Sequence, residues 1–203
     1  MKRYAAVFIL LVFYAVFLAP GSDNGDEILG HLLSGRFEEV DPLVTAVFSL
    51  LGIYPIIFLL LLIPKDMNRI PAWPFALLSF GLGAFAVLPY LIIQGRKIKK
   101  RPRGPVFLHR TLRSRFFLLI PGALSVIVYV TAVNGSFTGY IEAFFSSHLV
   151  SVMTVDLLVV IWLTYDLLKY KWKADQPWLS FIPAFGPLFL LYRVHRQEKD
   201  GSS

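Results

Sequence analysis

The stretch Ser147-His148-Leu149-Val150-Ser151-Val152-Met153-Thr154-Val155-Asp156-Leu157-Leu158-Val159-Val160 is an apolar run with a carboxylate near its middle. Extended to Leu168, it reaches the roughly 20 residues that a helix needs to cross a bilayer. A carboxylate at mid-span costs roughly 2.5–3.5 kcal/mol on insertion scales, so such a residue normally faces other helices and has a partner there. The stretch therefore predicts a bundle of membrane helices around an internal polar point.

The composition agrees. The chain has 203 residues, 56% of them hydrophobic and only 16% charged, with a mean hydropathy of +0.64. Soluble domains carry roughly 25% charged residues. A single all-α membrane domain covering 1–203 follows, with five or six spans. Net charge is +7, and the basic residues lie mostly between apolar runs. That pattern points to the positive-inside bias and to anionic lipid headgroups, with no nucleic acid as partner. The chain has no cysteine, which excludes disulfides and thiolate chemistry.

Six spans are expected, at about 4–19, 42–63, 71–93, 116–133, 149–168 and 177–192. The first follows Met1-Lys2-Arg3, so it also has the form of a signal peptide. Ala19-Pro20-Gly21 is a poor cleavage site because of its proline, which favours a retained helix. Cleavage or interfacial placement would leave five spans. Residues 20–41 are acidic and read as a solvated loop. Asp41-Pro42 is a helix start, a capping carboxylate before proline at the first helical position. Thr45, Ser49 and Gly52 fall on one face, as do Ser79 and Gly83. Small residues so placed suit close helix contact, within the chain or in a homo-oligomer.

Residues 95–115 hold nine of the twenty basic residues and no acid. This loop is expected on the cytoplasmic side, against anionic headgroups. With six crossings, both termini then lie outside, and Lys2 and Arg3 contradict the rule. Trp73 precedes Phe80-Gly81 by seven residues, and Trp178 precedes Phe185-Gly186 by seven. Taken as two halves of three spans each, the chain would carry an inverted repeat, an architecture of transporters.

Asp156 and His148 are the candidate catalytic residues. They stand eight residues apart on a broad helix face, with His148 about 12 Å nearer the surface. Ser151, Tyr129 and Asp166 are candidate binding residues. Asp156 is expected either to bind a cation or relay a proton in a polar pocket, or to pair with Tyr129, Thr45 or Ser49. Asp166 and His148 read as solvated groups near the interface. Histidines 31, 109, 148 and 195 show no paired metal spacing. No nucleotide loop or nucleophile elbow is present, so no cofactor is expected.

His148-Leu149, Asp156-Leu157 and Gly186-Pro187, within about residues 116–193, resemble the membrane family of plant neoxanthin-synthase-like proteins. The half from Asp41-Pro42 to Leu88-Pro89-Tyr90 resembles uncharacterised membrane proteins of bacteria and plastids. The resemblance implies a role with carotenoids or other isoprenoids and assigns no catalytic residue. The expected protein is thus a six-span membrane protein that binds or acts on an apolar lipid or isoprenoid near Asp156. The alternatives are a small transporter with inverted halves and an assembly subunit of a membrane complex.

Overall fold

A computed structural model describes residues 2–21, 25–94, 112 and 115–200. The basic stretch 95–115, and with it the expected headgroup contacts, lies outside the described residues except for Leu112 and Arg115. The described residues form nine α-helices and no strand.

Helix α1 (Lys2–Phe13) continues through a π-helical turn, Tyr14–Leu18. Helix α2 (Gly25–Leu33) and a 3-10 turn (Phe37–Glu39) follow where a solvated loop was expected. Helix α3 (Pro42–Leu62) starts as the sequence indicates. Asp41 accepts the Leu43 N–H at 2.7 Å with Pro42 at the first position, and Ile63–Lys65 prolongs the helix as a 3-10 turn. Helices α4 (Trp73–Leu82) and α5 (Ala84–Ile93) are separated by Gly83. Helix α6 (Arg115–Val133) leads to α7 (Phe137–Ser146), which is turned from it by 98°. Helix α8 (His148–Tyr170) carries the stretch quoted above. A 3-10 turn (Pro177–Phe181) and α9 (Phe185–Asp200) complete the chain.

Among the described residues, two helices are long and apolar enough to cross a membrane, Pro42–Lys65 and His148–Trp172. The bent pair α6–α7 supplies a third if it is one span. These two long helices run parallel. At one end Val44 and Val150 share a buried cluster. At the other, the Trp172 indole N–H donates to the Leu61 carbonyl at 2.9 Å. Helix α1 runs antiparallel to α8. Arg3 and Tyr4 meet Asp166, while Tyr14 meets Ser151 and Ala15 meets His148. Helix α6 runs antiparallel to α3, since the chain just beyond it returns to the start of α3. There the Ser136 N–H donates to Asp41 at 3.2 Å. The central helix is α3, with Ile57, Phe58, Leu60, Leu61 and Leu62 wholly buried.

Residues 71–93 do not form one straight span. The rings of Phe75 and Tyr90 lie 5.4 Å apart between centroids, whereas fifteen residues of straight helix would separate them by about 22 Å. Helices α4 and α5 are the two arms of a hairpin, each ten residues long and about 15 Å in rise. Buried Asp66 ties its base, accepting the Ala72 N–H at 2.8 Å and the Tyr90 hydroxyl at 3.2 Å. Residues 177–192 also fold back. Arg193 donates to Gln176 at 3.1 Å, and the chain reverses through Pro183 and Ala184.

The chain thus repeats one pattern. Each half has a long element (α1, α6), a short helix (α2, α7), a long apolar helix (α3, α8) and a hairpin (α4–α5, then 177–200). Because α3 is parallel to α8 and α1 and α6 each run against them, the halves point the same way. This corrects the inverted relation expected from the Trp and Phe-Gly spacing. It also redistributes the charge. Lys2, Arg3, Lys65, Arg69, Lys169, Lys171, Lys173 and Arg193 gather at one end, with Gln94, from which the basic loop departs. Arg36, Glu38, Glu39, Asp41 and Glu142 belong to the other. The ends are called basic and acidic below.

Candidate functional site

Asp156 sits 12 Å or so along α8 from the acidic end and is 5% exposed. Its partner is the backbone. One carboxyl oxygen accepts the Ala84 N–H at 2.9 Å, so the side chain caps the first turn of α5 at the hairpin tip. Tyr129, Thr45 and Ser49 are not its partners. The free N–H groups of a helix start and its dipole favour a negative group there. The arrangement therefore lowers the cost of keeping a carboxylate this deep.

Gly83 makes the approach feasible. Its φ is +50°, which side-chain-bearing residues rarely adopt. A Cβ built on it would stand 1.7 Å from a carboxyl oxygen of Asp156. The chain reverses here with no side chain between backbone and carboxylate.

The second hairpin is held in the corresponding way from the other half. The Ala184 N–H at its tip donates to the hydroxyl of Tyr54, midway along α3, at 3.4 Å. Tyr129 donates to the neighbouring Pro183 carbonyl at 3.0 Å. Ala184 carries a positive φ of 60°. Each long helix thus caps the hairpin tip of the opposite half.

A cavity of about 300 Å³ adjoins the first tip, between α3, the hairpin and α8. Its walls are mainly apolar, with Phe48, Leu51, Phe85, Val152 and Met153 among them, and its polar groups are Asp156 and buried Ser79. Phe80 and Leu82, each about half exposed, line its outer side. The cavity lies toward the acidic end, as Leu149 belongs to the first turn of α8 and Phe48 to the second turn of α3.

The other predicted residues are dispersed. His148 shares a hydrogen bond of 2.8 Å with the Ala15 carbonyl, and buried Ser151 one of 2.6 Å with the Tyr14 hydroxyl. Both face α1, so neither joins Asp156 in a graded path. Asp166 is not a solvated group, as its side chain is 3% exposed. Both its oxygens are engaged by Arg3 at 2.9 Å, and the Tyr4 hydroxyl donates to one of them. Trp162 packs edge-on against Tyr4. These three residues fasten the start of α1 to the end of α8, which gives the first segment a structural place along a full long helix. Tyr129 serves the second hairpin. Among the described residues no three His, Asp or Glu side chains are grouped to hold a metal ion.

Sequence reasoning missed Gly83, Tyr54 and Asp66. In the sequence Gly83 stands with Ser79 as a pair of small contact residues. Nothing local marks Tyr54, whose role depends on a segment 130 residues away. Comparison with known proteins found no matching family, no matching characterised relative and no matching solved structure.

Proposed function

We propose that the protein is a multi-pass membrane protein that binds an apolar lipid chain, of the isoprenoid class, in the cavity beside Asp156. The observation that carries this reading is the cavity itself. Its walls are mainly apolar, it lies between two membrane-length helices, and its polar groups are a helix-capping carboxylate and a buried serine. Sites for small apolar ligands have this composition, with a few polar groups that orient one end. The isoprenoid class rests on the resemblance of His148-Leu149, Asp156-Leu157 and Gly186-Pro187. In this reading the apolar chain lies against Val152 and Met153, and a terminal hydroxyl or carbonyl reaches Asp156 or Ser79.

Val152→Trp fills the cavity from its wall. Native mass spectrometry of the purified protein should show co-purified lipid in the parent and at least a tenfold loss in V152W, with the melting temperature retained. Equal lipid occupancy in both would sink the reading.

The charge distribution supports an orientation with the basic end in the cytoplasm. Both termini and the loop 95–115 then lie inside, and Lys2 and Arg3 no longer oppose the rule. Helix α1 crosses, α3, α6 and α8 cross, and the two hairpins enter from the cytoplasmic side and return. Because the chain has no cysteine, single cysteines report directly. Cysteines at 2 and 105 should resist an impermeant label on intact cells, and one at 134 should react. Labelling at 105 from outside would overturn this orientation.

The transporter reading keeps one supporting observation, the two discontinuous segments whose tips meet long helices at depth. Its repeat would be of the parallel kind, related by an axis along the membrane normal.

A further inference from the structure

The cavity beside Asp156 has two polar side chains on its wall, Asp156 and Ser79, and their hydrogen bonds decide which end group a lipid chain can bring. Asp156 is 5% exposed. Its Oδ1 accepts the Ala84 N–H at 2.9 Å. Its Oδ2 has no hydrogen bond with any of the described residues. This second oxygen lies over Gly83, another residue of the wall, which has no side chain to cover it. A carboxylate oxygen taken out of water needs a donor, and the fold supplies one to Oδ1 alone.

Ser79 does not fill that role. It is 1% exposed, and its hydroxyl donates to the Ala76 carbonyl at 2.7 Å. With its proton committed, the serine oxygen can only accept. No lysine, arginine, histidine, asparagine or glutamine lines the cavity. The open capacity of both polar side chains is therefore lone pairs, and a matching ligand must carry the proton.

Resting on the lipid-chain reading above, we infer that the ligand is a free long-chain alcohol whose hydroxyl donates to Oδ2 of Asp156. A carbonyl or ether end has no proton to give and would leave Oδ2 unpaired. A phosphate or carboxylate end would set a second negative charge beside Asp156, with no basic side chain on the wall to offset it. An ammonium end must shed its water to enter, which is costly for an ion, while the helix start already answers the charge of the carboxylate. The hydroxyl is the neutral donor that meets all three conditions.

The test uses the full chain purified in neutral detergent and native mass spectrometry with probes that share one chain: farnesol, farnesyl methyl ether, farnesylamine and farnesyl phosphate. Farnesol should bind at least about tenfold more tightly than the methyl ether, the scale of one hydrogen bond to a charged group. Asp156→Asn keeps an oxygen for the Ala84 N–H and presents an N–H donor where Oδ2 stood. Alcohol and ether both accept from that donor, so in D156N they should bind within about threefold of each other. A role of Asp156 in the fold alone would not move this ratio. Equal binding of alcohol and ether by the parent, or preference for the amine or the phosphate, overturns the alcohol assignment. So does a folded D156N that keeps the parent's preference. In each of these cases the lipid-chain reading stands if Val152→Trp still expels the bound probe. A parent that binds no probe, or binding unchanged in V152W, overturns both. The probe series is compared on the parent itself, so the test remains decisive if D156N fails to fold.

Discussion

The two halves of the molecule solve one problem with different residues. Each ends a hairpin against a long apolar helix, where a helix start exposes N–H groups that apolar surroundings cannot satisfy. The first half uses Gly83 at the reversal and receives a carboxylate, Asp156, from α8. The second uses Ala184 at the reversal and receives a phenol, Tyr54, from α3. The carboxylate bond is short, 2.9 Å, while the phenol bond is 3.4 Å. The first tip also borders an apolar cavity, whereas Pro183 and Ala184 are covered by Tyr54 and Tyr129. The proposed ligand site therefore lies at the first tip, and the second tip is closed by two tyrosines.

The largest effect is expected at Gly83. Gly83→Ala places a methyl where the carboxylate now stands and demands a positive φ of a side-chain-bearing residue. Overpacking and backbone strain together should cost about 3 kcal/mol or more. A large drop in melting temperature in detergent, with lost lipid occupancy, is the expected result. A variant that melts like the parent would show that the tip and α8 are not in contact.

Asp156 comes next, and here two substitutions separate two roles. Asp156→Ala leaves the Ala84 N–H without its acceptor and should cost about 1–3 kcal/mol. Asp156→Asn keeps an oxygen for that N–H and should lie within about 1 kcal/mol of the parent. If D156N nevertheless alters which lipid co-purifies, the carboxylate serves the ligand as well as the fold. If D156A and D156N melt alike, capping is not what holds the tip.

Asp156 also shows how far the sequence could be read. A carboxylate inside an apolar run requires a buried partner, and that expectation is met. The partner is a backbone N–H at a hairpin tip 72 residues earlier, which no side-chain inventory would reveal. The length of 71–93 fits a span, and so do two half-length arms. What distinguishes them is Gly83, and a glycine between apolar residues reads equally as a contact point. The Trp and Phe-Gly spacing led to the right segments in the wrong relation. Gly81 precedes the first tip and faces open space, while Gly186 follows the second, where a Cβ would meet the Leu179 carbonyl at 1.7 Å. Helix direction, which makes the halves parallel, appears only in contacts such as Trp172 to Leu61. The expectation of six crossings counts residues 71–93 as one of them, whereas they form a hairpin whose two ends meet at Asp66.

Tyr54→Phe should have a smaller effect than loss of the Asp156 cap. The bond it removes is long and uncharged, so about 0.5–1 kcal/mol is expected. Lipid occupancy should not change, because Tyr54 does not line the cavity beside Asp156. A loss of lipid in Y54F as large as in D156A would mean that the two tips act together and would break the division of labour.

Ala184→Gly should be the smallest. Relief of a left-handed conformation favours glycine by about 1 kcal/mol. The greater freedom of glycine in the unfolded chain removes roughly 0.4–1 kcal/mol of that gain. Ala184 is wholly buried, and loss of its methyl removes about 0.8 kcal/mol more. The sum should fall within about 1 kcal/mol of zero, against the large loss at Gly83. The asymmetry follows from what approaches each tip. At Gly83 the carboxylate occupies the space a methyl would need, whereas at Ala184 the hydroxyl reaches the backbone beside a methyl that already has its place. Matched melts of A184G and G83A in one detergent test this directly, and equal losses would show that both tips depend on backbone conformation alone.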